Sequence, residues 1–164
     1  MPDRKQRRYI IIADGFLLDR HAKTAHGMLR YSQDDIVAIV DREHAGRDVF
    51  ELLPALGRHA PVVADVKAAL PFTPTCALVG VATAGGVLPP QLRAHVLAAV
   101  DAGLEIVSGL HQLLRDDPEF SARARVSGSS FWDVRLPPER IPLFSGAAYR
   151  VPQVVALAVG SDCA

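Results

Sequence analysis

What this sequence lacks narrows its chemistry first. It holds only two cysteines, Cys76 inside an apolar run and Cys163 near the end. Thiols so placed make neither a disulfide framework nor a metal-ligand spacing, so both are expected to be reduced. Lysine plus arginine and aspartate plus glutamate balance at 18 each. Without an excess of either sign, no bulk field favours nucleic acid or a membrane surface as a partner. No apolar run reaches the roughly 18 residues of a membrane span, and the start has no apolar secretory segment, which makes the cytoplasm the expected compartment. There is no Gly-Lys dipeptide and no G-x-G-x-x-G, which excludes a complete phosphate-binding loop and the dinucleotide fingerprint. No Ser-His-Asp order, Cys-His pair or metal motif can be assembled either, so no metal site is expected.

What is present is a strand and helix rhythm. Residues 76–82 form a continuous apolar run, the pattern of a strand covered on both faces, and so one inside a parallel sheet. Small residues follow at Thr83-Ala84-Gly85-Gly86. Pro89-Pro90 then starts a helix, where a missing N–H costs nothing. Leu92, Val96, Ala99 and Val100 share one helical face, Gly103 closes the helix, and residues 104–108 make the next strand. This βαβ unit predicts an α/β, Rossmann-like, open and mostly parallel sheet with helices on both faces, in three layers. Ligands in such sheets bind outside the carboxyl ends of the strands.

The rest of the chain fits that rhythm. Residues 9–13 read as the first and central strand, and Thr24 as the cap of a short helix to Tyr31. Strands are expected at 36–40 and 61–64, and short helices around Val49–Leu53 and Val66–Leu70. A charged helical stretch at 112–125 is interrupted by Pro118, and 131–134 reads as an edge strand. The division that follows is a basic, solvated leader over 1–8, a Rossmann-like domain over 9–136 and a proline-rich linker over 137–153. The last part, 154–164, reads as one strand and the incomplete opening of a second domain.

Three polar clusters stand at predicted strand ends. After strand one come Asp14-Gly15 and then Lys23, Thr24 and His26, where a helix N-terminus can hold a phosphate or carboxylate; a solvated loop is the alternative. Asp41, Arg42 and His44 follow strand two, with Asp41 where a ribose-binding acid stands in nucleotide folds; an ordinary charged turn explains them as well. Thr83, Gly85 and Gly86 allow close backbone approach to a ligand, or simply a tight loop. His111 follows a strand end. His59 and His95 read as surface residues, and Trp132-Asp133-Val134-Arg135 as a core aromatic with a salt-bridged pair.

Several separated motifs carry a family resemblance. They are Asp14-Gly15-Phe16-Leu17, Ala22-Lys23-Thr24-Ala25-His26-Gly27 with Arg30-Tyr31, Asp41 to Gly46, Gly80-Val81-Ala82 with Gly85-Gly86 and Leu88-Pro89-Pro90, Gly109-Leu110-His111, and Trp132 to Arg135 with Pro137-Pro138. Together they resemble the N-terminal half of a two-domain bacterial and archaeal family that includes D-glutamate N-acetyltransferases. The resemblance implies a Rossmann-like domain followed by a P-loop domain, with Gly160-Ser161-Asp162-Cys163 similar to the opening of that loop. It also implies acetyl-CoA as a cosubstrate of the longer protein, with no cofactor in this half.

The resulting expectation is the N-terminal domain of an N-acetyltransferase-like enzyme, incomplete alone. Its loops would hold an acidic amino acid through Asp14, Gly15, Lys23, Thr24, His26, Asp41, Arg42, His44, Thr83, Gly85, Gly86 and His111. His26 and His44 are the candidate proton acceptors, and a C-terminal P-loop domain and a homo-oligomer the expected partners. Two rival readings are a nucleotide- or dinucleotide-binding module and a non-catalytic assembly domain.

Overall fold

The computed structural model describes residues 7–139, 146–152 and 154. Six strands build one sheet: β1 (Arg8–Ile12), β2 (Asp35–Val40), β3 (Val62–Val63), β4 (Cys76–Val79), β5 (Glu105–Ser108) and β6 (Phe131–Asp133). Their order is β3-β2-β1-β4-β5-β6, and every pairing is parallel. β1 is therefore central and β6 lies at an edge, as the apolar runs predict. The sheet reverses direction of growth between β1 and β4, the switch point where folds with this strand order open a crevice.

Alternation along the strands sends side chains to both faces. Ile10 and Ile12 point to a layer made by α3 (Val66–Ala69), α4 (Pro90–Asp101) and α5 (Pro118–Ser127), where Leu92, Val96 and Phe120 are fully buried. Tyr9, Ile11 and Ala13 point to the other layer, made by α1 (Lys23–Tyr31) and α2 (Val49–Leu52). Each fully buried Ile or Val in these layers contributes about 1.5–3 kcal/mol of transfer free energy. The fold is the three-layer Rossmann-like arrangement. One glycine sets its closeness at the switch point: a Cβ on Gly80 would lie 2.6 Å from Ile11 Cγ2 and 3.1 Å from Ala25 Cβ. Its absence lets the Ala25 N–H reach the Gly80 carbonyl at 2.8 Å, which docks α1 on the end of β4.

Several local readings are corrected. Thr24 does not cap α1: a 3-10 turn at Arg20–Ala22 comes first, capped by Asp19, and runs into the helix at Lys23 without a side-chain cap. Pro118 does not interrupt a helix but begins one, with the Asp117 carboxylate accepting from the N–H groups of Glu119 and Phe120. The last residue of the supposed solvated leader belongs to the sheet, and the one before it packs against the sheet's residues. Arg8 opens β1 and donates to the Thr73 and Phe72 carbonyls, while Arg7 pairs with Glu105 and stacks over Trp132. Trp132 is a half-exposed edge residue, not a core aromatic. Its neighbour Asp133 is buried and accepts from the Leu114 and Arg115 backbones, so it does not pair with Arg135, which donates to the Gly109 carbonyl instead. Of the reading of 154–164 as one strand and a loop opening, all but Val154 lies outside the described residues, Cys163 included, as do residues 1–6 and part of the linker.

Candidate functional site

The polar centre of the domain is built where β1 and β2 end, beside the switch point. β1 delivers Asp14 and β2 delivers Asp41, both buried, and each carboxylate is satisfied by a different set of donors. Asp14 Oδ1 accepts the Arg42 backbone N–H at 2.9 Å. Its Oδ2 lies 2.9 Å from His95 Nε2 and 3.0 Å from Arg42 Nε. A carboxylate can only accept, so His95 carries its hydrogen on Nε2 here. The 3.4 Å approach of Arg42 Nη2 to that nitrogen then joins two donors that share Asp14, not a hydrogen bond of its own. Burial alone would push the Asp14 carboxyl upward; the Arg42 N–H, His95 and the guanidinium charge more than offset it and hold it below its ordinary value.

Asp41 works through a neighbour. Its Oδ1 accepts from the Gly15 N–H at 3.3 Å and the Glu43 N–H at 3.2 Å, and His44 Nδ1–H donates to Oδ2 at 2.9 Å. Asp41 is 0% exposed, so the acid expected to touch ligand is sealed from it. What it does is fix the ring of His44, leaving Nε2 outside this bond. Gly15 adopts φ +73°, the left-handed region that glycine takes without strain.

Two adjoining cavities open at this edge. One of about 450 Å³ is lined by Asp14, Gly15, Arg42, Glu43 and Gln91. The other, about 290 Å³, is lined by residues 15–19, Glu43 and His44, so Gly15 and Glu43 form the shared wall. The lining mixes signs, with Arg42 paired to Asp14 in one cavity, Asp19 in the other and Glu43 on the wall they share. Such a lining suits a ligand bearing both an ammonium and carboxylates. Asp41, Glu43 and His44 also bring three donor atoms within 4.8 Å of one another. Asp41 and His44 are hydrogen-bonded to each other within that group.

The remaining predicted site residues stand apart from these cavities. Lys23 is exposed at the start of α1, and Thr24 lines a different cavity on the sheet face. His26 Nε2–H donates to the Leu17 carbonyl at 2.7 Å and pins the loop after β1 to α1. Thr83, Gly85, Gly86 and His111 gather at the ends of β4 and β5. There Gly86, at φ +63°, backs directly onto His111, whose Cδ2 would lie 2.3 Å from an added Cβ. Thr83 Oγ1 donates to the Val87 carbonyl at 2.7 Å. None of these residues lines either cavity beside Asp14.

Three residues at the site went unmarked in the sequence reading: His95, Glu43 and Gln91. His95 is buried and not on the surface. The signal was available, because it lies three residues after Leu92 and next to Val96, inside the apolar stripe of α4.

Comparison with known proteins agrees with this architecture. Residues 42–137 match the model of the family described as a domain of unknown function, Rossmann-like domain (DUF1611_N). A D-glutamate N-acetyltransferase of Tritonibacter scottomollicae is 32% identical over 142 residues, which is 87% of this chain and 39% of that protein. The crystal structure of a DUF1611 family protein from Anabaena variabilis superposes with a TM-score of 0.80 at 34% identity, covering 89% of this chain and 42% of the other. The chain thus spans about two-fifths of the length of the relatives it matches. With its six parallel strands and the match over most of the sheet, the chain belongs to the DUF1611 family, as its N-terminal Rossmann-like domain.

Proposed function

We propose that this domain supplies the amino-acid half of the site in a D-glutamate N-acetyltransferase-like enzyme, with the paired cavities beside Asp14 and Asp41 receiving the acidic amino acid. The observation that carries the reading is the His44–Asp41 pair: a buried carboxylate orienting one histidine at one cavity, with Arg42 lining the adjoining one. Arg42 is clamped at Nε by Asp14, which leaves its outer nitrogens to meet a substrate carboxylate in a forked geometry. Glu43 and Asp19 are placed to attract the substrate ammonium. Before acylation that ammonium must lose a proton, and histidine is the side chain suited to take it near neutral pH. In this scheme His44 Nε2 accepts the proton, the ring becomes imidazolium, and Asp41 stabilises that charge through the Nδ1–H bond. His26, with Nε2–H held by a backbone carbonyl, is the weaker of the two candidates.

Acetyl-CoA does not fit this part of the molecule. Its phosphates would meet Asp14, Asp19 and Glu43 in cavities of only about 450 and 290 Å³, so no step through the donor is assigned to these residues. The donor belongs, in this reading, to the portion that the longer relatives carry in addition. The rival nucleotide-binding reading loses its main support here, because Asp41 is sealed and cannot reach a ribose diol.

The test has two arms. Titrating D-glutamate into the chain is expected to give saturable binding that Arg42→Ala weakens at least tenfold. In the longer enzyme carrying this domain, His44→Ala is expected to lower kcat about 100-fold or more while leaving KM near its original value, the range that general-base loss covers. Unchanged turnover in His44→Ala, or no binding of any acidic amino acid, would overturn the assignment.

A further inference from the structure

A cavity of about 700 Å³ lies on the face of the sheet that carries α1. Its floor is Leu78 and Val107 from β4 and β5, one wall is the flank of α1 through Met28 and Tyr31, and the other is Trp132 and Val134 at and just beyond β6. On the opposite face three helices cover the sheet, and Phe120 of α5 is fully buried. On this face α1 is the only helix, among the described residues, that borders the groove. The apolar part of the rim is open: Tyr31 is 75% exposed, Val134 54% and Trp132 40%, with Arg7 over the Trp132 ring and Thr24, Ser32, Gln33 and Asp34 also in the lining. Exposed apolar side chains grouped in this way on a folded domain mark a surface that another element covers.

We propose that this groove seats the C-terminal portion of the longer chains in this family, through an apolar helix or loop laid between α1 and β6. Two observations select that occupant over a second copy of the domain. The matched relatives carry roughly three-fifths of their length beyond the part shared with this chain. The far wall of the groove is the last strand of the sheet, so polypeptide continuing from β6 is tethered beside the groove. A segment joined to β6 through residues 134–164 stays at a high effective concentration, on the order of millimolar for a flexible linker, whereas a second copy must bind from dilute solution. The proposal does not depend on the substrate or on the role of His44.

Hydrogen exchange tests it, comparing this chain with the same chain continued by the C-terminal portion of the Tritonibacter scottomollicae relative. The amides of Val107 and Trp132 are expected to exchange at least tenfold more slowly in the continued chain at every protein concentration. The double variant Tyr31→Glu, Val134→Asp removes that protection and leaves the Tm of the shorter chain unchanged, since both side chains are exposed there. Val126→Asp, on the exposed side of α5, leaves the protection intact. The same charges at the aligned positions of the intact relative lower its Tm by several degrees and supply the answer if the continued chain misfolds. Equal exchange in short and continued chains, or an unchanged Tm in the relative, overturns the proposal. So does protection that appears only as light scattering reports dimers, which would assign the groove to a second copy.

Discussion

Two ion-pair networks in this domain use the same residue types to opposite ends. At the tips of β1 and β2, Asp14 and Asp41 are buried and their partners, Arg42 and His44, face cavities. Between α4 and α5, Arg93 bridges Asp117 at 2.7 Å and Glu119 at 2.8 Å, and Arg123 bridges Asp101 at 2.8 Å and Glu119 at 3.0 Å. In the helix network every charged head is spent on another, and the Arg93 guanidinium also lies over the Phe120 ring at 4.4 Å. It holds two helices together, and the two members that line a cavity, Asp101 and Arg123, are paired with each other. In the strand-end network the acids are enclosed, Arg42 keeps unspent donors and His44 keeps Nε2 as an unspent acceptor. What separates a site from a brace is therefore which partner is buried, and charge content alone does not reveal it.

Removing the enclosed acid should break this contrast most severely. Asp14→Ala leaves the His95 Nε2–H and the Arg42 N–H without their acceptor in a buried place. A loss of about 2–3 kcal/mol in urea unfolding is expected, at the low end for a buried pair because the Arg42 side chain is itself 67% exposed. Asp14→Asn keeps an acceptor oxygen and should cost about half as much. A loss equal to that of a surface residue would show that the strand-end network is no more enclosed than the helix one.

Asp117→Ala comes next. That carboxylate caps α5 as well as pairing with Arg93, and the loss of an N-cap acid costs about 1 kcal/mol. The same residue predicts a pH signature. The Arg93 hydrogen bonds hold the Asp117 carboxyl at about 2, against an ordinary 3.8. A group depressed on folding contributes stability that is fully present above its unfolded value and is lost as pH falls through the folded one. Unfolding free energy should therefore decline between pH 4 and 2, with Asp14 adding in the same direction. Asp117→Asn should flatten part of that decline. An identical acid limb in variant and parent would remove Asp117 from the account.

How much of this was legible beforehand depended on what kind of physics set each feature. Continuous apolar runs at 9–13, 36–40 and 76–82 marked the strands now seen at Arg8–Ile12, Asp35–Val40 and Cys76–Val79, and with them a central β1 and a Rossmann-like sheet, because burial on both faces leaves a compositional trace. The clusters after strands one and two were legible as clusters, since loops at strand ends carry the polar residues. Their internal wiring was not: spacing cannot tell that Asp41 turns inward to hold His44, or that His26 turns back to Leu17. The Thr24 cap failed because a 3-10 turn displaced the helix start, and backbone turns of that length have no side-chain period. Arg7 and Arg8 failed for a different reason. A charge run signals solvent only when no carbonyls or acids wait at the sheet edge, and Phe72, Thr73 and Glu105 wait there.

The smallest effect sharpens the contrast from the other side. Arg123 bridges Asp101 on α4 and Glu119 on its own helix, yet its own side chain and both acids are exposed. Such a pair gains little over the water it displaces and gives up side-chain freedom to form. Arg123→Ala should leave the Tm unchanged within error at physiological salt. Arg93→Ala should lower it, because the Arg93 guanidinium also packs on the buried Phe120 ring and holds the Asp117 cap in place. Equal effects from the two arginines would mean that the helix network acts as one unit, and that its inner and outer halves do not differ as their packing indicates.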